Sequence, residues 1–110
     1  MRLALDFDAT YTVDPELWEA FVKLAKERGH EVTIVTARCE NGSFAFPDLD
    51  NDDVIAAAGR MGIDVVYCCG NQKQDIYGAD VWIDDSPHAI VGREQLEHLK
   101  AVSKMNEYHW

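Results

Sequence analysis

Hydrophobic positions along the chain fall into short apolar runs that alternate with segments of helical periodicity. The apolar runs lie at residues 2–6, 31–36, 64–69 and 79–84. The second run, EVTIVT, is β-branched and mostly apolar, which is typical of a strand that is buried on both faces of a parallel sheet. Strand and helix signals that alternate in this way favour an α/β protein, so we predict four strands in one mainly parallel sheet.

Helix signals occupy the segments between these runs. Asp14 and Pro15 form a helix start, and apolar residues then recur at helical spacing until Gly29 ends the helix. A second helix is predicted over 52–62, where the apolar residues share one face. The remaining segments are predicted as a polar loop over 37–50, a short turn or helix over 71–78 and a last helix over 93–104.

Length and composition favour a single globular domain over residues 1–110. The chain has 110 residues, of which 47% are hydrophobic and 27% are charged, and this size leaves room for one core. No apolar run approaches the roughly 20 residues that a membrane-spanning helix needs. The first residues reach acidic positions too early for a signal peptide. These features predict a cytoplasmic protein without a membrane partner.

The three cysteines are expected to be reduced thiols with structural roles. Cys68 and Cys69 are adjacent in a predicted strand, where neighbouring side chains point to opposite faces. The pair is therefore a poor candidate for a disulfide or for half of a zinc site, and Cys39 has no cysteine or histidine partner at zinc-binding spacing. Reduced cysteines agree with a reducing compartment.

Polar and charged residues follow the predicted strands at the positions where an open parallel sheet binds its ligands. Such sheets bind ligands beyond the carboxyl ends of their strands, which all meet at one edge. We therefore expect the residues at or after the predicted strand ends to converge. These residues are Asp6, Asp8, Thr36, Lys73, Asp84 and Asp85.

The expected cluster contains the groups that phosphoryl transfer requires. Its acids would repel one another unless a cation lay among them, and an oxygen-rich site suits Mg²⁺. Asp6 can attack phosphorus, while Asp8 can protonate the leaving oxygen and later activate water. Thr36 and Lys73 can balance charge on the phosphoryl oxygens. Taken singly, each residue also has an ordinary interpretation, as a strand end, a turn residue or a solvated lysine.

Several motifs resemble those of haloacid dehalogenase-like (HAD) phosphatases. LALDFDAT at 3–10 resembles the first HAD motif, and VWIDDSP at 81–87 resembles the acidic fourth motif. VTIVTAR at 32–38 and Lys73 are similar to the second and third motifs. The resemblance implies a three-layer α/β/α Rossmann-like fold with a mainly parallel central sheet. It also implies a phosphomonoester hydrolase that acts through an aspartyl-phosphate.

The resemblance assigns a role to each matching residue. Asp6 is implied as the nucleophile and Asp8 as the general acid and base, while Thr36 and Lys73 hold the phosphoryl group. Ala9 departs from the family pattern, which commonly has glycine there. A side chain at this position narrows the conformations open to the loop beside the nucleophile.

The same resemblance implies a magnesium site. Its ligands would be Asp6, the backbone carbonyl of Asp8 and Asp85, with Asp84 nearby in support. Which of the two adjacent acids contacts the metal directly is left open. Thr10 matches the threonine of the first motif, which has an orienting role.

The segments after the first and third strands are too short for the cap domain that HAD enzymes usually carry, so the resemblance is to a capless member. The open site needs another cover. The loop at 37–50 is one candidate, because Phe44 and Phe46 could shield the site or stack on a base. Aromatic residues folded under the loop are an equally good interpretation. A second copy of the chain is the other candidate, which would make a homo-oligomer.

Charge ranks the substrates. The chain has 20 acidic and 10 basic residues and a formal net charge of −10 at pH 7, which disfavours long nucleic acids. We expect a nucleotide or other small phosphomonoester first, and a nucleic acid 3′-phosphate or a phosphoprotein second. Arg38 is a candidate for binding a second substrate oxygen. A surface salt bridge is the alternative role for Arg38.

Three other protein classes compete with a phosphatase. A response-regulator receiver domain would need an acid after the third strand, where this chain has Tyr67 and two cysteines. A simple magnesium or calcium protein would leave Thr36 and Lys73 unexplained, and the chain has no EF-hand spacing. A non-catalytic regulatory relative is disfavoured because no motif is lost.

Overall fold

The structure, a computed structural model, describes residues 1–41, 50–95 and 97. The predicted last helix at 93–104 lies largely outside these residues, and so do Phe44 and Phe46. The described part contains a 3-10 turn at Tyr11–Val13 and the following elements: β1 (Arg2–Leu5), α1 (Pro15–Glu27), β2 (Glu31–Thr36), α2 (Asp52–Met61), β3 (Asp64–Tyr67), α3 (Lys73–Ile76), β4 (Val81–Ile83) and α4 (Pro87–Ile90).

The described strands form one sheet in which all pairings are parallel. The strand order is β3-β2-β1-β4, so β1 lies between β2 and β4. This arrangement confirms the four predicted strands and their parallel direction. All predicted strands except β2 extend one or two residues beyond the observed ends, although some of these residues still form hydrogen bonds between neighbouring strands. The short helix α4 was not predicted, because the sequence shows only a turn signal at these residues.

Local sequence signals set the limits of the two long helices. The Asp14 carboxylate accepts a hydrogen bond of 3.2 Å from the Leu17 N–H, and Pro15 occupies the first turn of α1. Helix α2 ends at Gly62, whose φ of 65° lies in the left-handed region that favours glycine. Both helices therefore begin or end at residues that could be identified from the sequence.

The apolar core lies on both faces of the sheet. Helices α1 and α2 contact each other and also pack against β2 and β3, respectively. The larger cluster between these helices and the sheet includes Leu3, Leu5, Val22, Ala25, Val32, Ile34, Val54, Ala57, Ala58 and Met61. A second cluster contains Ala4, Val35, Cys68 and Tyr77. The result is a compact α/β architecture with a Rossmann-like parallel sheet.

The cysteines differ from the expectation of reduced thiols. Cys39 and Cys69 form a disulfide with Cα atoms 4.2 Å apart, and Cys68 is a buried free thiol. The bonded residues follow the neighbouring strands β2 and β3. Their loops are joined by a 3.1 Å hydrogen bond from the Cys69 N–H to the Arg38 carbonyl. The prediction is therefore wrong for Cys39 and Cys69, because strand pairing brings together loops that are distant in sequence.

The loops at the carboxyl edge of the sheet are short where the sequence predicted them to be short. The segment from residue 6 to residue 14 holds only the 3-10 turn, and the segment from residue 68 to residue 80 holds only α3. Neither segment contains an inserted domain. Among the described residues, no helix combines the length and the apolar character needed to cross a membrane.

Candidate active site

Parallel pairing brings the ends of β1 and β4 together at one edge of the sheet. The Asp6 N–H donates a 2.9 Å hydrogen bond to the Ile83 carbonyl, which continues the pairing beyond the regular strands. Asp6 therefore comes next to Asp84, the residue that follows Ile83. This proximity was predicted from the strand ends alone.

Lys73 links these two acids. Its Nζ donates hydrogen bonds to Asp6 Oδ1 at 2.7 Å and to Asp84 Oδ2 at 2.6 Å. The three side chains are 1%, 8% and 2% exposed, respectively, so the pairs are shielded from water. Burial of these charges is tolerable because each is paired and hydrogen-bonded. Lys73 lies on α3, as expected for a residue after the third strand.

Thr10 connects Asp6 to Asp85. Its hydroxyl oxygen lies 3.0 Å from Asp6 Oδ2 and 3.0 Å from Asp85 Oδ1, and it accepts a hydrogen bond of 3.2 Å from the Asp85 N–H. The threonine thus holds the nucleophile candidate and the second acid of the fourth motif in a fixed relation. The structural or orienting role implied for Thr10 by the resemblance stays a prediction.

Three carboxylates come close enough to share a cation. Oxygen atoms of Asp6, Asp84 and Asp85 all lie within 4.8 Å of one another. The side chains of Asp6 and Asp84 are buried and Asp85 is exposed, so the group opens to solvent on one side. Three negative charges beside the single charge of Lys73 leave an excess that a divalent ion would neutralise. The all-oxygen donor set fits Mg²⁺.

The surroundings of Asp6 alter its ionisation. Burial raises the pKa of Asp6 from 3.8 to about 6, Lys73 opposes this rise, and the charge of Asp84 adds to it. Such a shift is expected for a buried acid, and a neighbouring acid adds to it. A cation bound among these acids would favour the ionised form of Asp6 and lower its pKa.

The pKa values of two neighbours of Asp6 shift so that their charged forms are favoured. Burial lowers the pKa of Lys73, but its hydrogen bonds to Asp6 and Asp84 outweigh burial and raise the value overall. The pKa of Asp85 is lowered by its hydrogen-bonding interactions with Asp6 and Thr10. The cluster therefore keeps Lys73 cationic and Asp85 anionic.

Asp8 has a different partner from the other acids. Its carboxylate receives hydrogen bonds from Arg38, from Nε at 2.9 Å and from Nη2 at 2.7 Å, and its side chain is 56% exposed. The Asp8 carboxylate thus lies outside the three-acid group. The expected contact between its backbone carbonyl and a metal stays a prediction.

Thr36 and Ala9 complete the edge of the sheet. Thr36 is fully buried at the end of β2, and its Oγ1 accepts a hydrogen bond of 3.2 Å from the Arg38 N–H. Ala9 has a φ of 60°, a left-handed conformation that is unusual for a residue with a Cβ atom. Ala9 thus adopts a backbone conformation that glycine would adopt more easily, at the position where the sequence departs from the HAD pattern.

Asp53 is a residue of this region that sequence reasoning missed. Its carboxylate accepts two hydrogen bonds from Arg38, at 2.7 Å from Nη1 and 3.0 Å from Nη2. Asp52 and Asp53 are adjacent acids in the first turn of α2, where acids are common at helix starts. No sequence signal distinguishes one from the other, because only the packing of α2 decides which one faces Arg38.

Comparisons with protein-family models, with curated proteins and with solved structures found no match for the chain. The resemblance to HAD phosphatases therefore depends on the four sequence motifs and stays a prediction.

Proposed function

We propose that the protein is a magnesium-dependent phosphomonoester hydrolase of the capless HAD type, with Asp6 as its nucleophile. The observation that carries the proposal is the contact of one buried lysine with two acids of a three-acid cluster at the carboxyl edge of the sheet. Lys73 and the carboxylates of Asp6, Asp84 and Asp85 form this group. A structural ion pair would not need the second and third acids.

Mg²⁺ would be held by Asp6 and Asp85, with Asp84 in support and a further contact from the Asp8 carbonyl. When bound, the ion would neutralise the charge of the acids and of the substrate phosphate. The raised pKa of Asp6 agrees with this assignment, because a neighbouring cation would stabilise the ionised form of this buried acid.

Asp6 would attack the phosphorus atom with one carboxylate oxygen. The bond from phosphorus to the leaving oxygen breaks, and Asp8 gives its proton to that oxygen. Asp8 then takes a proton from a water molecule, which attacks the aspartyl-phosphate. Inorganic phosphate leaves, Asp6 returns to its free form, and Asp8 is protonated again.

Lys73 and Thr36 would bind the phosphoryl oxygens. Asp6 and Asp84 use two of the N–H bonds of Lys73, and the ammonium group has one more to donate. Thr36 is fixed at the end of β2, next to the strand that carries Asp6. Both groups would stabilise charge that develops during transfer.

Small phosphomonoesters, with nucleotides first among them, are the proposed substrates. The net charge of −10 repels long polyanions, whereas a small substrate can approach as its magnesium complex. A macromolecular phosphate is the second candidate, because the short segments after β1 and β3 hold no domain that would exclude it.

Release of inorganic phosphate from a substrate panel, with and without Mg²⁺, tests the proposal. The panel contains an aryl phosphate, nucleoside 5′- and 3′-monophosphates, sugar phosphates and a 3′-phosphorylated oligonucleotide. We expect Mg²⁺-dependent release that Asp6→Asn abolishes. Asp64→Asn is the matched control, since Asp64 is an exposed acid at the start of β3, at the opposite edge of the sheet.

Turnover by Asp6→Asn at the wild-type rate would remove Asp6 from the nucleophile role. Turnover of the oligonucleotide alone would move the proposal to a macromolecular substrate. No release from any compound, with Mg²⁺ still bound, would favour the regulatory alternative.

A further inference from the structure

Arg38 joins two carboxylates that belong to different elements. One edge of its guanidinium group donates to Asp8 through Nε and Nη2, and the other edge donates to Asp53 through Nη1 and Nη2. All but one of its N–H bonds are used in this way. Bidentate pairs of this kind fix orientation as well as distance.

The arginine is also confined from other directions. Its side chain is 13% exposed, and its Cζ lies 5.1 Å from the centroid of the Phe7 ring. Its backbone N–H donates to Thr36 and its carbonyl accepts from Cys69. The guanidinium therefore has little freedom to choose another position while Asp53 remains in place.

Asp53 is itself held in a fixed relation to the loop that carries Arg38. It lies in the first turn of α2, and its Oδ1 also accepts a 2.8 Å hydrogen bond from the Val54 N–H. The buried Asn51, just before α2, donates through Nδ2 to the carbonyls of Cys39 and Glu40. The start of α2 and the Arg38 loop therefore form one unit.

We propose that Asp53 is a positioning residue that acts through Arg38 to hold Asp8, which pairs with Arg38 as a carboxylate once it has given its proton to the leaving group. This inference rests on the proposed function, in which Asp8 is the general acid and base. Asp8 is more than half exposed, so the two hydrogen bonds from Arg38 are its main restraint among the described contacts. Asp53 supplies the opposite anchor that keeps the guanidinium in place.

The proposal gives Arg38 a different task from substrate binding. A guanidinium with both edges occupied by carboxylates has little capacity left for a phosphate oxygen, unless one carboxylate is displaced. The two roles have different kinetic consequences. Loss of a substrate contact raises KM, whereas loss of a well-placed acid lowers kcat for substrates whose leaving group needs a proton.

Leaving-group dependence in Asp53→Asn is the central test. General acid catalysis contributes about 10²- to 10⁴-fold where the leaving oxygen must be protonated, and little where it leaves as a stable anion. We expect kcat/KM, which reports the attack of Asp6 and the departure of the leaving group, to fall about 10-fold for an alkyl phosphate and less than about 2-fold for a nitrophenyl phosphate. Asp53→Glu, which keeps the carboxylate, should restore part of the loss.

Asp52→Asn is the matched control. Asp52 neighbours Asp53 in the first turn of α2, is exposed, and carries the same charge, so its removal changes the helix terminus in a similar way. We expect wild-type kinetics with both substrates. Arg38→Lys keeps the charge but cannot bridge two carboxylates in the same way, and should reproduce the substrate-dependent loss of Asp53→Asn.

Three outcomes would overturn the inference. Asp53→Asn could behave as Asp52→Asn does with both substrates. It could lose the same factor in kcat/KM with both, which would mean that the effect of Asp53 on phosphoryl transfer to Asp6 does not pass through leaving-group protonation by Asp8. It could raise KM at constant kcat, which would assign Arg38 to the substrate.

A measurement without turnover separates this inference from the proposed function. The free energies of unfolding of Asp8→Asn, Asp53→Asn and the double variant form a cycle, and coupling through Arg38 predicts that the two effects are not additive. Additive effects would overturn the proposed coupling of Asp8 and Asp53 through Arg38, even if the enzyme is active. Wild-type protein that releases no phosphate from any ester, yet shows the coupling, would instead contradict the proposed function.

Discussion

At the scale of single residues, Asp6 combines two demands that oppose each other. The proposed role of Asp6 as a nucleophile requires an ionised carboxylate, yet the burial of Asp6 raises its pKa to about 6. The hydrogen bond from Lys73 favours the ionised form and offsets part of the burial cost. A cation near Asp84 and Asp85 would complete the compensation.

This pKa shift predicts a pH-dependent stability in the absence of metal. The folded protein holds the Asp6 proton more tightly than the unfolded chain, so its contribution to stability is fully present below pH 3.8 and is lost as the pH rises through about 6. The total change is about 3 kcal/mol. Denaturant unfolding between pH 4 and pH 7 in a chelator, compared with Asp6→Asn, measures it.

The comparison with Asp6→Asn isolates Asp6 from other titrating groups. Asp53 and Glu19 have lowered pKa values, so each adds to the stability of the folded protein as the pH rises. These contributions are similar in wild type and in Asp6→Asn. We expect the variant to gain stability relative to wild type with rising pH. A constant difference across this range would contradict the shift.

At the scale of elements, the Cys39–Cys69 disulfide ties the loops that follow β2 and β3. The two cysteines are separated by 30 positions in sequence, and a cross-link of this span constrains the unfolded chain by about 3.5 kcal/mol. Cys69 is exposed and has a φ of 49°, so the bond joins an accessible and conformationally unusual residue to the Arg38 loop.

We therefore expect reduction to destabilise the protein by about 3.5 kcal/mol, seen as a lower midpoint of denaturant unfolding. A variant with Cys39→Ser and Cys69→Ser should match the reduced wild type and should not respond to dithiothreitol. An unchanged midpoint of the wild type on reduction would contradict this contribution. Because Cys39 and Cys69 form a disulfide, the cysteines no longer support the predicted cytoplasmic location. The location itself stays a prediction.

At the scale of the whole molecule, three of the 20 acidic residues lie together where the strands end. Asp6, Asp84 and Asp85 contribute to a net charge of −10, and a molecule of this charge attracts divalent cations nonspecifically as well. A specific site has to be distinguished from this general attraction by the residues on which it depends.

Mg²⁺ at 100 times its dissociation constant should raise the free energy of unfolding by about 2.7 kcal/mol. Thermal or denaturant unfolding at constant ionic strength measures this effect without the general contribution of salt. Asp85→Asn should lose most of the stabilisation, whereas Asp64→Asn, at the other edge of the sheet, should keep it. Equal stabilisation of both variants would mean that Mg²⁺ binds only through the overall charge.

The sequence by itself determined the four strands, the two long helices and the gathering of three main site residues. Apolar runs and helix signals act over a few residues, so β2 and the start of α1 could be predicted closely. Because parallel strands end at one edge of the sheet, the sequence alone predicted that Asp6, Lys73 and Asp84 lie close together, as they do.

Only the tertiary structure decided the contacts between loops and helix ends. The Cys39–Cys69 bond depends on the pairing of β2 with β3, and the choice of Asp53 over Asp52 depends on how α2 packs against the sheet. The two hydroxyl contacts of Thr10 likewise require the turn after β1 to approach the end of β4. These features escape local patterns because each depends on a distance between elements that only the packed core fixes.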